Sequence, residues 1–259
     1  MKKIFVLIIG LLVGFELQAS CMAEWMAIYP STNSVTQNPV FLLEYDESEY
    51  KLATKWDELE FTLLVNNKHK VGVKVLQKVT GVGANSQLLL QPEKLLTLND
   101  SVQLEVDFKK KNTGILNQTF LTFRDRIKWR KWKVAQPEDL KPVSWVGNLS
   151  WEYPEERISS ISTRGVNFLY QLHDDNPVHY EYVPGKTTAL NLFEIEINGR
   201  KFYSLGGGPK SKFSIYDSIC GGNFYLQHNK QYEARITALD FSGNRSQETK
   251  LVAFNTFRN

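Results

Sequence analysis

The sequence predicts an all-β protein built as two tandem β-sandwich domains behind an export signal. Three observations carry that prediction. Short apolar runs with a period of two recur along the chain, each closed by a cluster of Asn, Gly, Pro, Ser or Asp. The composition includes 6 Trp, 11 Tyr and 15 Phe against 3 Met, which favours strands over helices. At the front, Lys2 and Lys3 precede the apolar run Ile4 to Val13, and the small residues Ala19 and Ser20 follow it, the three-part layout of a secretory leader.

The leader is read as residues 1–20. Its apolar run is shorter than the roughly 20 residues a membrane span needs, and no later stretch comes close. An exported chain is therefore expected, in the periplasm, at the cell surface or secreted. About 240 residues remain after the leader, enough for two domains with a core each. The formal net charge of +3 is near balance, so bulk electrostatics predict neither a nucleic-acid nor a membrane partner. The two cysteines are Cys21 and Cys220. An even count in a secreted chain favours a Cys21–Cys220 disulfide. The alternative is a lipid anchor on Cys21, because Ala19-Ser20-Cys21 resembles a bacterial lipoprotein signal, with Gln18 where an aliphatic residue is usual.

Elements follow in order. Trp25 to Tyr29 leads to the turn Pro30-Ser31-Thr32-Asn33-Ser34, and Asn38-Pro39 opens the strand Val40-Phe41-Leu42-Leu43. Glu60 to Val65 ends at the hairpin pair Asn66-Asn67, ahead of Val71, Val73 and Val75 on one face. Leu88-Leu89-Leu90 precedes Gln91-Pro92. Val102, Leu104, Val106 and Phe108 then point inward while Gln103, Glu105 and Asp107 point to water. The Tyr29-Pro30 turn, the aliphatic run ten residues on and the passage Gln91 to Leu104 together resemble bacterial immunoglobulin-like domains of surface-layer and secreted proteins. That resemblance implies an immunoglobulin-like sandwich over residues 21–125.

Residues 126–142 are expected to link the halves, because Pro137 and Pro142 bracket a polar stretch. Strand patterns resume at Asn148 to Tyr153, Val166 to Tyr170, Phe193 to Ile197 and Lys201 to Tyr203, with Asn198-Gly199 a hairpin signal. Tyr232, Ala234, Ile236 and Ala238 alternate on one face before Asp240-Phe241-Ser242-Gly243-Asn244-Arg245-Ser246 and a final strand, Thr249 to Phe254. Gly243 supplies positive φ there, and Asp240 and Asn244 can bond the turn's backbone. This hairpin resembles the last one of fibronectin type III modules, which implies such a sandwich over residues 143–259.

Four features bear on chemistry. His173, Asp174, Asp175 and His179 offer metal-ligand types from one loop, against the simpler reading of a polar loop ahead of Pro177. Gly206-Gly207-Gly208-Pro209-Lys210-Ser211 lacks the spacing and the following helix of a phosphate loop. Arg124 to Lys133 interleaves cations with Trp129 and Trp132. Lys128, Trp129, Arg130 and Trp132 would form a surface for a polyanion or headgroup, or else the indoles pack between domains under basic stems. Trp145, Trp151 and Tyr153 lie near Glu152, Glu155 and Glu156, suggesting a glycan platform or a carboxylate pair, with a sandwich-core tryptophan as the simpler use.

No catalytic motif of known spacing is present. The sequence thus predicts a non-catalytic binding or structural module of the cell envelope, with no cofactor and with a protein or glycan partner. The competing expectation is a polysaccharide-binding accessory protein or hydrolase, its site in loops 173–186 and 206–212.

Overall fold

The computed structural model describes residues 26–46, 53–81, 85–109, 118–128, 130–153, 163–175, 177–183, 186–207, 211–218, 222–227 and 229–256. The leader, Cys21, Trp129 and Cys220 lie outside the described residues, and with them the disulfide, the lipid anchor and one member of the basic surface. The architecture is all-β, with several distinct sheets. No helix among the described residues is long and apolar enough to cross a membrane.

The first half contains β1 (Met26–Tyr29), β2 (Ser34–Val35), β3 (Phe41–Asp46), β4 (Leu59–Val65), β5 (His69–Thr80), β6 (Asn85–Pro92), β7 (Ser101–Phe108), the helix α1 (Gln118–Lys128) and β8 (Lys131–Val134). Its eight strands form one sheet in the order β1-β3-β6-β5-β4-β7-β8-β2. That order makes curling unavoidable. A flat sheet of eight strands would be roughly 34 Å wide. Yet its two edge strands, β1 and β2, are joined by residues 30–33, and the step from Tyr29 to Ser34 spans at most about 18 Å. The sheet therefore bends into a half-barrel whose flanks face each other across a core. Trp132 of β8 meets Phe41 of β3 across that core, ring centroids 4.7 Å apart, and its indole N–H donates to the Pro30 carbonyl at 3.0 Å. Phe123 and Ile127 of α1 plug the concave side, Phe123 edge-on to Tyr45 at 5.5 Å.

The convex side is apolar too, and it is not left to water. Strict alternation sends Phe41, Leu43 and Tyr45 into the half-barrel and Leu42 outward, and Leu88 and Leu90 inward with Leu89 outward. β5 achieves the same by a bulge. Val71, Val73 and Val75 face the concave core, the register then slips between Val75 and Gln77, and Val79 emerges on the convex side. One extra residue reverses the facing of everything after it.

The second half contains β9 (Ser144–Trp145), β10 (Ser150–Glu152), β11 (Thr163–Leu169), β12 (Leu172–His173), β13 (Val178–Val183), β14 (Lys186–Ile197), β15 (Arg200–Gly206), β16 (Lys212–Ser218), β17 (Gln231–Leu239) and β18 (Lys250–Asn255). β14 is its spine, paired with β13, β15 and β17, while β18 pairs with β17. A three-stranded sheet, β10-β11-β16, packs on it: Phe213 of β16 stacks on Phe193 of β14 at 4.1 Å, and Phe168 of β11 meets Phe254 of β18 at 5.5 Å. Strands β9 and β12 form a separate pair. The expected hairpin at Asn198-Gly199 is present with φ of 52° and 74°, as is the alternating burial of Tyr232, Ala234, Ile236 and Ala238.

Val40, Leu42, Val79 and Leu89 belong to the same buried cluster as the second half's core. The halves are thus fused through the convex face of the half-barrel. Residues 126–142, read as a linker, begin within α1, continue through β8 and then pin the junction. Asp139 is held there by Asn38, whose amide donates to its carbonyl at 2.7 Å, and by Asn244, which donates to the same carbonyl at 3.0 Å.

Candidate functional site

The junction of the halves is where polar side chains concentrate in a protected setting. Gln87 of β6 grips the backbone of Tyr203 of β15 twice: its amide donates to the Tyr203 carbonyl at 2.8 Å, and its oxygen accepts the Tyr203 N–H at 2.8 Å. The Tyr203 hydroxyl donates to Gln77 at 2.6 Å and lies 3.2 Å from Glu194. Glu194, almost wholly buried, is paired with Arg245 at 2.6 Å and Lys201 at 3.1 Å. Burial works to raise its carboxyl, but Arg245 and Lys201 outweigh that and hold it below the usual range. Burial, then the negative charge of Glu194, raise the Tyr203 phenol. At one end the Val40 N–H donates to the Phe241 carbonyl at 2.7 Å, and the Thr36 and Ser242 hydroxyls meet at 2.9 Å.

Beside this seal lies a cleft of about 490 Å³ with one wall from each half. Tyr29, Ser31, Glu44 and Asn85 come from the first. Tyr203 to Gly207 of the β15 end, Lys212 to Ser214 and Tyr216 of β16, and Asn223 come from the second. The second wall is stiffened by its own hydrogen bonds: Asn223 accepts the Tyr216 N–H at 2.9 Å and donates to the Ser214 carbonyl at 3.1 Å, and the Ser204 hydroxyl donates to that carbonyl at 2.9 Å. Gly206 is needed here because a Cβ would fall 2.4 Å from the Phe193 ring and 2.7 Å from the Tyr170 hydroxyl.

Glu44 is the chemically distinctive group of the cleft. It sits on the convex side of β3, between β1 and β6, because Phe41, Leu43 and Tyr45 claim the concave side. Burial pushes its carboxyl up to about 7, and the hydrogen bond it accepts from Gln87 pulls it back only in part. A group near neutrality can donate or accept a proton at physiological pH. Tyr216 reaches toward it from the opposite wall: burial, followed by the Glu44 charge, raises the Tyr216 phenol, and Asn85 hydrogen-bonds the hydroxyl.

The features singled out in the sequence lie mostly elsewhere. His173 meets Asp175 at 3.1 Å, and the other oxygen of Asp175 takes Lys141 at 2.8 Å. The carboxylate is therefore neutralised by a cation of the protein's own. His179 lies in β13, its side chain outside the described set, and no group of three or more metal-ligating side chains occurs among the described residues. Of the basic surface, Lys128 ends α1, Arg130 follows it, and Trp132 is 1 % exposed, a core residue of the half-barrel with nothing to offer a ligand. Nor does its indole pack between the halves. Trp145 packs on Phe193 at 5.9 Å and donates to the Glu248 carbonyl at 2.9 Å, with Lys250 over its ring. Trp151 meets Tyr153 edge-on at 5.4 Å.

Gly206, Gly207 and Lys212 from the 206–212 loop do line the cleft. The sequence reading missed Glu44, Asn85 and Tyr216. The available signal was Glu44 itself, a charge at an alternating position inside the apolar strand Val40 to Tyr45.

No known protein family and no curated protein matches the chain. Among solved structures it is similar to dimeric latent PorU from Porphyromonas gingivalis, at 11% identity and a TM-score of 0.27, over 91% of this chain and 20% of that one. It is also similar to red sea bream transglutaminase, at 11% identity and a TM-score of 0.20, over 91% of this chain and 31% of that one. The chain thus spans between a fifth and a third of the length of these two structures.

Proposed function

We propose that this chain is an exported, non-catalytic binding module of the bacterial cell envelope, and that it takes a small polar ligand of the saccharide class in the cleft between its halves. The observation that carries the reading is the make-up of that cleft: Tyr29 and Tyr216 offer ring surface, and Glu44, Asn85 and Ser31 offer a few directed polar groups. A concave site with some ring surface and a handful of polar groups is the general form of a small-ligand site. Near neutrality the Glu44 carboxyl can donate as well as accept, which suits a hydroxyl-rich, uncharged ligand.

A second reading, hydrolysis of a glycoside, draws on the raised carboxyl of Glu44. That chemistry uses two carboxyl groups flanking the bond. Among the described lining residues Glu44 is the one carboxyl group, which favours binding. In fold terms the proposal keeps an immunoglobulin-like resemblance for the first half and a fibronectin type III-like one for the second. The β17–β18 hairpin supports the latter: the Asp240 carboxylate accepts the N–H groups of Ser242 and Asn244 at 2.8 and 2.9 Å, and Gly243 has φ of +86°.

The test is isothermal titration of the purified chain with a panel of neutral mono- and disaccharides, repeated on Tyr216→Ala. Binding by the parent and loss of it in the variant is the expected result. Equal binding by both would remove the site from the cleft, and release of reducing sugar from an oligosaccharide would move the protein to the hydrolase reading.

A further inference from the structure

Among the described residues the half-barrel is open along one seam, and that seam carries a second feature independent of the cleft reading. β1 is an edge strand: its one side pairs with β3, and among the described residues no strand pairs with the other. In an antiparallel edge, alternate residues turn their N–H and C=O groups outward. Along β1 runs a groove of about 460 Å³, lined by Met26, Ala27, Ile28, Tyr29, Arg126 and Arg130 among others. The two arginines stand across the seam, at the end of α1 and just before β8. The Arg130 Nε is buried with no hydrogen-bond partner among the described residues. Arg130 itself is half-buried and lines the groove, and a carboxylate matches the guanidinium fork best.

Strand edge, apolar floor and cationic far wall together specify a ligand: extended backbone to pair with β1, and an acidic side chain to meet Arg130. A second copy of this chain fits less well, because a symmetric β1–β1 contact would bring two sets of the same arginines together. We propose that the seam docks an extended acidic segment of a partner protein, which adds a strand to β1 and places a carboxylate on Arg130. This is strand addition, in which main-chain bonds give affinity and side-chain pockets give specificity.

The probe is a fluorescein-labelled octapeptide of alternating valine and aspartate, titrated against the purified chain and read by anisotropy. Its valine–lysine counterpart and an acidic octapeptide N-methylated at alternate backbone nitrogens serve as controls. The proposal expects the acidic peptide to bind and both controls to bind at least about tenfold more weakly. It expects Arg130→Glu to weaken the acidic peptide by at least about tenfold, and Arg130→Gln by less. Binding should also slow amide exchange at Met26 to Tyr29, a readout that holds even if a variant folds poorly. The proposal is overturned by absence of binding of the acidic peptide, by equal binding of the N-methylated form, by indifference to Arg130→Glu, or by a dimer of the free chain in which β1 amides are already protected.

Discussion

Two carboxyl groups at the junction respond to pH in opposite directions. Glu44 is lifted to about 7 by burial, so the folded state holds its proton more tightly than the unfolded chain does. Its favourable contribution is complete below about 4.5, the ordinary value, and is lost as pH rises through about 7. Glu194 lies below its ordinary value through Arg245 and Lys201, so its contribution is present above that value and is lost as pH falls. Glu44→Gln keeps an oxygen to accept from Gln87 and removes the charge. It should leave stability unchanged near pH 4.5 and raise it by on the order of 2–3 kcal/mol at pH 8, measured by urea denaturation at both pH values. Arg245→Met removes one of two cations from the buried Glu194 and should cost about 3 kcal/mol at pH 7. Gly243→Ala should also destabilise, by about 1–2 kcal/mol, since φ is +86° and the new Cβ would lie 2.8 Å from a Val40 methyl carbon.

At the scale of elements the bulge in β5 decides which side chains reach the second half. Removing Leu76, which is exposed, restores strict alternation. Gln77 would then follow Val75 directly and still pair with Leu89, so Gln77 and Val79 would keep the convex side and Tyr203 its acceptor; removing Leu76 and Gln77 together would instead turn Val79 into the half-barrel and take that acceptor away. Deletion of Leu76 and Gln77 together should therefore cost about 3 kcal/mol or more, whereas deletion of Leu76 alone should cost far less and Leu76→Ser almost nothing, by thermal melting.

The same strand shows what a sequence can and cannot say. Val71, Val73 and Val75 announce a face by their period, as do Val102, Leu104 and Val106, because local alternation follows from the pleat. Where that face points, and where it reverses, depends on a partner strand far along the chain. β3 reads as a plain apolar run for a related reason: both its faces are covered, so alternation is masked and Glu44 is its only mark. The basic stretch before Trp132 carries no strong helical period, so α1 was not legible, and the company Trp132 keeps leaves both a surface and a packed use open. The hairpins at Asn66-Asn67 and Asn198-Gly199 were legible because positive φ selects those residues locally.

For the molecule as a whole, the central claim is that the halves form one body. A beads-on-a-string pair would bury each core separately. Here one apolar cluster takes Val40, Leu42, Val79 and Leu89 from the first half into the second, and the Gln87–Tyr203 exchange is inaccessible to water. The cleft, and with it the proposed ligand site, exists only while that junction holds. Differential scanning calorimetry of the purified chain at pH 6 tests this most directly. The account predicts a single transition with calorimetric and van't Hoff enthalpies in agreement, which splits or loses cooperativity in Leu42→Asp. Two independent transitions in the parent chain, unmoved by Leu42→Asp, would contradict it.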